Sequence, residues 1–260
     1  MPAIYDQIGK TYTSTRAADP RIAERIAALL ALPKSRRILD VGAGTGNYSR
    51  AIAESGYKVT ALEPSQTMRD QGKQHPHLKW IAGSAEELPF PENSFDGVMM
   101  TLCIHHFANW FKAFSEAKRV CPDGPIVILS FDTSFESNFW LHDYFPAFKS
   151  LDEEWMPRLG EIQSYVEQTL DLSFSFERFS LPHDLVDNFA AANWQRPEFY
   201  LDPIAQAGIS SFAKSPREEV EAGLASLRED LKTGVWNQKH GYLKNRTSLD
   251  VGYVFLKFSA

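Results

Sequence analysis

The chain is poor in cysteine, with two in 260 residues, Cys103 and Cys121, and neither has the paired spacing of metal ligands. That excludes a cysteine-based metal site and leaves free thiols, which suit a reducing cytoplasm. A positive balance is also lacking: 27 Lys and Arg stand against 33 Asp and Glu, a formal net charge of -6. A nucleic-acid backbone or an anionic membrane requires basic surface, so neither is expected as the main partner. No apolar run approaches the length that crosses a bilayer. The opening Met1-Pro2-Ala3-Ile4-Tyr5-Asp6 has no basic stretch followed by an apolar one, so no signal peptide is expected. Internal repeats and low-complexity tracts are absent as well. What remains is 43% hydrophobic and 13% aromatic, the make-up of a globular protein able to bury a sizeable core.

The densest signal is Ile38-Leu39-Asp40-Val41-Gly42-Ala43-Gly44-Thr45-Gly46-Asn47. An apolar run ends in glycines at alternate positions, and Asn47-Tyr48-Ser49 opens a segment to Ser55 that reads as a helix. Strand, glycine turn and helix start are what a nucleotide-derived cofactor needs. Glycine reaches positive φ and lets a ligand come close, while the free N–H groups of the helix start face it. The spacing separates two cofactors. A dinucleotide turn wants G-x-G-x-x-G, and counted from Gly42 its third glycine falls on Asn47. A nicotinamide-dependent oxidoreductase is therefore disfavoured, and whether the turn holds any ligand rests on residues downstream.

Spacing over residues 20–32 (Pro20, Ile22, Ile26, Leu29, Leu30) predicts a helix that stops before Pro33. Strands are predicted at 37–41, 57–62, 78–82, 95–101 and 126–131, with helices at 65–73, capped by Ser65, and at 110–120. Strands alternating with helices across short connections mean a parallel sheet covered on both faces. After Phe131 the rhythm changes. Residues 173–181 alternate strictly and 251–258 read as a last strand, while 190–194, 204–213 and 216–231 between them look helical. The organisation expected is an N-terminal segment and helix (1–36), a core (37–181), an inserted helical cap (182–249) and a final core strand (250–260).

With Asp40 leading, the turn reads D-x-G-x-G-x-G, which resembles motif I of the class I S-adenosylmethionine (SAM)-dependent methyltransferases. Gly83-Ser84-Ala85-Glu86-Glu87-Leu88-Pro89-Phe90, followed by Phe95-Asp96, is similar to the family's G-D-A-E-x-L-P-F stretch and later F-D. Thr101-Leu102-Cys103-Ile104-His105-His106 is similar to the L-x-x-x-H-H stretch of its small-molecule members, the ubiquinone and menaquinone biosynthesis type. The likeness covers residues 38–132 well and the rest in outline. It implies a Rossmann-like, doubly wound, seven-stranded α/β sheet, mostly parallel, with the last strand antiparallel beside strand five. It also implies SAM as cofactor. Asp40, Gly42, Ala43, Gly44 and Gly46 would meet its methionine and ribose part. Glu63, with Pro64 next to it, stands 17 residues after Gly46 at the end of strand two, where a carboxylate accepts from both ribose hydroxyls. By the resemblance Ser84 and Ala85 flank the adenine. The family has Asp where this chain has Ser84, a weaker acceptor, and Glu86 is placed to take over. Backbone around Thr101 and Leu102 would meet the sulfonium end. Tyr5, Tyr12 and Arg16 are similar to the Y-D-x-x-A-x-x-Y opening of many relatives, and Arg16 offers a bidentate fork to the methionine carboxylate.

Methyl transfer from a sulfonium is an in-line displacement that asks mainly for alignment of nucleophile and methyl. For a hydroxyl or acidic carbon a general base helps, and His105 and His106 are the candidates; packing within their loop is the other reading. The N-P-P-F/Y turn of nucleobase-amino methylation is missing after strand four, and the cysteines are too few for arsenite methylation. Aromatic residues crowd the region beyond strand five, and Trp140, Trp194 and Tyr200 are expected to wall an apolar acceptor pocket. The reading is a cytoplasmic methyltransferase for a small, partly apolar metabolite, monomeric or homodimeric, without a metal, nucleic-acid or membrane partner. A SAM-binding or regulatory member without catalysis is the alternative.

Overall fold

The computed structural model describes residues 9–135 and 139–260, with side chains from Tyr12 onward, so Tyr5 lies outside the described residues. Strands β1 (Arg37–Val41), β2 (Lys58–Leu62), β3 (Leu78–Ile81), β4 (Gly97–Thr101) and β5 (Ile126–Phe131) are followed by β6 (Ser173–Arg178), the short β7 (Leu181–Pro182) and β8 (Ser248–Leu249), and β9 (Tyr253–Ser259). Seven of them form one sheet in the order β3-β2-β1-β4-β5-β9-β6, and β7 pairs with β8 apart from it. The first five are parallel; β9 runs antiparallel to both neighbours, with Ile128 and Phe176 facing Leu256 from either side. The last strand beside the fifth is as the sequence implied.

Both faces of the sheet are covered, and the strands show it by strict alternation. Ile38, Met99, Val127 and Leu129 join one buried cluster with Ile22, Ile26 and Ile52. Leu39, Val41, Val98, Met100, Ile126 and Ile128 join the other with Phe114, Ala117 and Val166. A period of two in strands buried on both sides is what a helix-flanked parallel sheet requires. The first cluster packs on α1 (Pro20–Leu30) and α2 (Asn47–Glu54), the second on α4 (Trp110–Val120); α3 (Gln66–Asp70) lies between β2 and β3. Caps fix the helix starts. Asp19 accepts from Arg21 N, Ser65 from Met68 N at 3.2 Å and Asn109 from Lys112 N at 3.0 Å.

Chain order and sheet order part company after β3, where the chain crosses to the far side of β1 to make β4. Loops leaving the carboxyl ends of β1 and β4 diverge there, and such a switch point is where open α/β sheets bind ligands.

Helical material beyond β5 comes in two excursions, not one. Helices α5 (Leu141–Tyr144), α6 (Pro146–Trp155) and α7 (Leu159–Gln168) precede β6; α8 (Pro203–Ala207), α9 (Ser210–Lys214), α10 (Arg217–Thr233) and α11 (Val235–His240) precede β9. The two sets pack on each other, α9 on α6 and α10 on α5. Gly223 lets α10 come close, since a Cβ there would stand 2.3 Å from the Tyr144 carbonyl oxygen. The expected helix at 190–194 is a run of turns, the one at 204–213 breaks at Gly208, and the strand expected through 181 ends at Arg178. Among the described residues no helix is long and apolar enough to cross a membrane.

Candidate active site

At the switch point lies a cleft of about 1380 Å³. A single-ligand pocket measures roughly 300–1,000 Å³, so there is room for two molecules side by side. Its floor is the glycine turn. Gly42 and Ala43 both donate to the Leu62 carbonyl, at 2.9 and 3.0 Å, which tethers the turn to the end of β2. Gly42, Gly44 and Gly46 all have positive φ. A Cβ on Gly42 would lie 2.9 Å from Cys103 Cβ, and one on Gly46 would lie 2.5 Å from Cζ2 of the Trp80 ring. Gly44 is the open one, meeting only Met68 Cε at 3.4 Å. Gly46 therefore serves packing at the start of α2 and does not line the cleft, a correction to its expected contact role.

The carboxylate of Glu63 bridges two turns: Oε2 accepts from Gly44 N and Oε1 from Ser65 N, each at 2.9 Å. It is buried at the cleft wall beside Pro64. Asp40 points from β1 toward α2, where Ser49 Oγ donates to Oδ2, and Oδ1 has no partner among the described residues. Burial pushes the Asp40 carboxyl up to about 7; the Ser49 hydrogen bond opposes this and the nearby Glu63 charge adds to it. Thr101 Oγ1, at the end of β4, is a second buried atom without a partner there. Both residues line the cleft, while these two oxygens are themselves buried behind its surface. Ser84, Ala85 and Glu86 form the far wall. Glu86 Oε1 accepts from Ala108 N at 2.8 Å and so fastens this wall to the approach of α4. The Leu88-Pro89-Phe90 and Phe95-Asp96 stretches prop it from behind. Phe90 meets Phe95 edge-on, Arg119 binds the carbonyls of Leu88 and Phe90, and Asp96 pairs with Arg37 at the opposite end of the sheet.

Leu102, directly after β4, has a φ of 53°, a left-handed conformation that costs a non-glycine residue about 1–2 kcal/mol. It turns the chain so that His105 and His106 face the cleft, their ring centroids 3.9 Å apart. Burial pulls His105 down to about 3, with the Lys214 and Arg16 charges adding, and His106 well below its ordinary value. Both rings are neutral hydrogen-bonding groups and poor bases as they stand. Cys103 is inert: its thiol contacts the Val41 carbonyl at 3.2 Å and burial pushes its pKa up.

Tyr12 and Arg16 also reach the cleft. The Arg16 fork is already engaged, however. Nε and Nη2 donate to the two oxygens of Asp187 at 2.5 and 3.1 Å, Nη1 to the Tyr12 hydroxyl, and Tyr48 OH joins Asp187 at 2.9 Å. The expectation that this fork is open to a ligand carboxylate is corrected: a buried aspartate holds it. Asn47, at the position where a dinucleotide turn has glycine, donates to the Arg16 carbonyl at 3.2 Å and so ties this segment to the turn.

Trp140, Trp194 and Tyr200 do not wall the site. All three are fully buried and line neither the cleft nor the chamber beside it. Their polar atoms are satisfied inside: Trp140 Nε1 donates to the Trp194 carbonyl, Trp194 Nε1 to that of Leu181, and Tyr200 OH to that of Ala190. They form the core between the two helical excursions and the sheet. The walls instead come from Trp155 at the end of α6, from Met156 and Arg158 just after it, and from Lys214 at the end of α9. None of these, nor Asp187, carries a sequence signal of its own. Acidic residues outnumber basic ones along the cleft, which favours a cationic ligand.

A model of the family described as "Methyltransferase domain" matches residues 39–129. The demethylmenaquinone methyltransferase of Renibacterium salmoninarum is 36% identical over 135 residues, 51% of this chain and 53% of that protein. The ubiquinone/menaquinone biosynthesis C-methyltransferase UbiE of Rubrivivax gelatinosus is 31% identical over 144 residues, 54% of this chain and 55% of that protein. The chain thus spans about half the length of these curated relatives. A crystal structure of a putative methyltransferase from an antibiotic biosynthesis pathway of Anabaena variabilis superposes with a TM-score of 0.91 at 43% identity, over 95% of this chain and 99% of that one.

Proposed function

Because the chain belongs to the class I SAM-dependent methyltransferases, we propose that it moves the methyl group of SAM to a small, partly apolar organic molecule. The observation that carries this reading is the cleft at the switch point, with the glycine turn on its floor, Glu63 and Pro64 on one wall and Asp40 and Thr101 lining it at the ends of β1 and β4. Glu63 takes the ribose hydroxyls, Ser84, Ala85 and Glu86 border the adenine, and the turn at Gly42, Ala43 and Gly44 admits the methionine part. The anionic lining suits a sulfonium. When bound, SAM supplies an electrophilic methyl, and the protein's work is to align the acceptor and keep water away.

His105 and His106 act in this reading as neutral hydrogen-bond partners at the acceptor's edge. With His105 near 3, an acceptor with a weakly acidic proton would have to be ionised by some other group. Arg16 and Tyr12 close the cofactor side through Asp187. Two buried free thiols fit a reducing compartment, and we extend the reading to the cytoplasm. The names of the curated relatives make quinone-type rings the first acceptors to try, and that of the Anabaena protein adds natural-product intermediates. Incubation with methyl-labelled SAM and a panel of such acceptors tests the function. Labelled product supports it; binding of SAM with no transfer to any acceptor favours a regulatory role.

A further inference from the structure

Behind the cleft is a smaller chamber of about 120 Å³, reached past Leu102, His105, Met156 and Lys214, which line both spaces. An apolar cavity of roughly 150 Å³ takes a single benzene ring, so the chamber is ring-sized. Five aromatic residues line it, Phe139, Phe148, Trp155, Phe189 and Tyr253, with Arg16, His142, Asp152 and Lys214 among the polar ones. Ser130, from β5, also lines it, and the Ser130 hydroxyl is buried without a partner among the described residues.

Among the described residues, one cation at the neck makes no ion pair. The Lys214 ammonium lies 3.0 Å above the centre of the Trp155 ring, and no carboxylate among the described residues comes within 4.0 Å of it. Arg16, the other cation there, is held by Asp187, and the two histidines are neutral. On the methyltransferase reading above, we propose that Lys214 and the chamber form the acceptor subsite, and that it takes a ring bearing an acidic hydroxyl, bound as the anion. A localised carboxylate or phosphate charge is costly to desolvate among five aromatic rings, whereas a phenolate- or enolate-type charge is spread over the ring that the chamber already accommodates. The unpartnered Ser130 hydroxyl serves a second polar atom on that ring.

Burial lowers Lys214 to about 8 and raises Asp152, which lines the same chamber, to about 7; the attraction between the two groups opposes both shifts without cancelling them. An anionic ligand restores the ammonium fully. The acceptor's proton leaves to solvent as it binds. In the transfer its lone pair forms the new bond to carbon as the carbon–sulfur bond breaks, and that bond's electron pair stays on sulfur. The acceptor's negative charge and the sulfonium's positive charge disappear together, which is why no strong base is needed beside the neutral histidines.

The probe is para-nitrophenol, titrated by absorbance into the whole chain saturated with S-adenosylhomocysteine, below the phenol's solution pKa. Para-nitroanisole, which has the same ring without an ionisable oxygen, is the comparator. Expected are the spectrum of the bound anion and affinity at least about tenfold above the anisole, the equivalent of one unit of pKa shift. Lys214→Met should lose the anion spectrum and about tenfold in affinity, and Lys214→Arg should keep both. A bound spectrum of the neutral phenol, equal binding of both probes, no binding of either, or an unchanged Lys214→Met would overturn the proposal. If Lys214→Met does not fold, the two probes on the natural chain decide. Calorimetry with S-adenosylhomocysteine separates the failures: its absence defeats the methyltransferase reading, while normal binding with an un-ionised phenol defeats only this subsite.

Discussion

Arg16 and Asp187 form a bidentate ion pair between the segment before α1 and the loop after β7, with side chains 10% and 1% exposed. It pins two distant stretches of chain over the mouth of the cleft. Removing one partner of such a pair leaves an uncompensated buried charge, which costs about 3–5 kcal/mol. Asp187→Ala should therefore lower the free energy of unfolding in urea by that amount. The joint change Arg16→Met with Asp187→Leu should recover much of it, and if it does not, the pair is more than a buried charge and its counterion.

Glu63 holds Gly44 N and Ser65 N in the free protein and is our candidate for the ribose hydroxyls. Hydrogen bonds to a charged group contribute about 1.5–3 kcal/mol. Glu63→Gln should weaken S-adenosylhomocysteine by roughly tenfold to a hundredfold and also lower the melting temperature, because an amide nitrogen cannot replace the second oxygen that accepts from Gly44 N or Ser65 N. Titration calorimetry beside thermal denaturation reads both.

Asp40 has its pKa raised from an ordinary 3.8 to about 7. A carboxyl with a raised folded-state pKa favours the native state fully at low pH. That contribution fades as pH climbs past 3.8 and is gone above about 7. Asp40→Asn should remove this slope. Urea unfolding at a series of pH values should show the variant gaining on the natural chain between about pH 4 and 7 and holding a constant difference above that. A constant difference across the whole range would mean that Asp40 ionises normally.

Two glycines of one turn should fail differently. Gly46→Ala puts a methyl into the Trp80 ring at positive φ and should cost stability heavily, by more than about 2 kcal/mol. Gly44→Ala has room for its methyl and pays only for its backbone conformation, about 1 kcal/mol. Its loss should appear in ligand affinity, because the added methyl faces the cleft. Equal effects of the two on both measurements would contradict the division of roles.

The half of the site made by local pattern was legible from the chain alone. The alternation of Ile38, Leu39 and Val41, the glycine spacing and Glu63 at the end of β2 are fixed within a few residues of one another, and the switch point follows from the order of the strands. The other half depends on contacts between distant positions. Asp187 sits in a loop of no periodicity and reaches Arg16 from far along the chain, and Lys214 ends a five-residue helix. Helix α5, four residues long, is too short to show a period, whereas Phe148, Leu151 and Trp155 in α6 and Leu159, Ile162 and Val166 in α7 do recur at helical spacing, a signal that the aromatic crowding upstream obscures. Trp140, Trp194 and Tyr200 were expected in a pocket wall because composition does not separate a wall from a core. Their full burial away from both cavities, with every N–H and O–H group satisfied inside, makes that distinction.

The central claim is that the cleft over the glycine turn binds SAM through Glu63. Calorimetric titration of the full chain with S-adenosylhomocysteine tests it most directly. One molecule bound per chain, with binding lost or severely weakened in Glu63→Ala, is the expected result; no heat at millimolar ligand, or undiminished binding by Glu63→Ala, would contradict it.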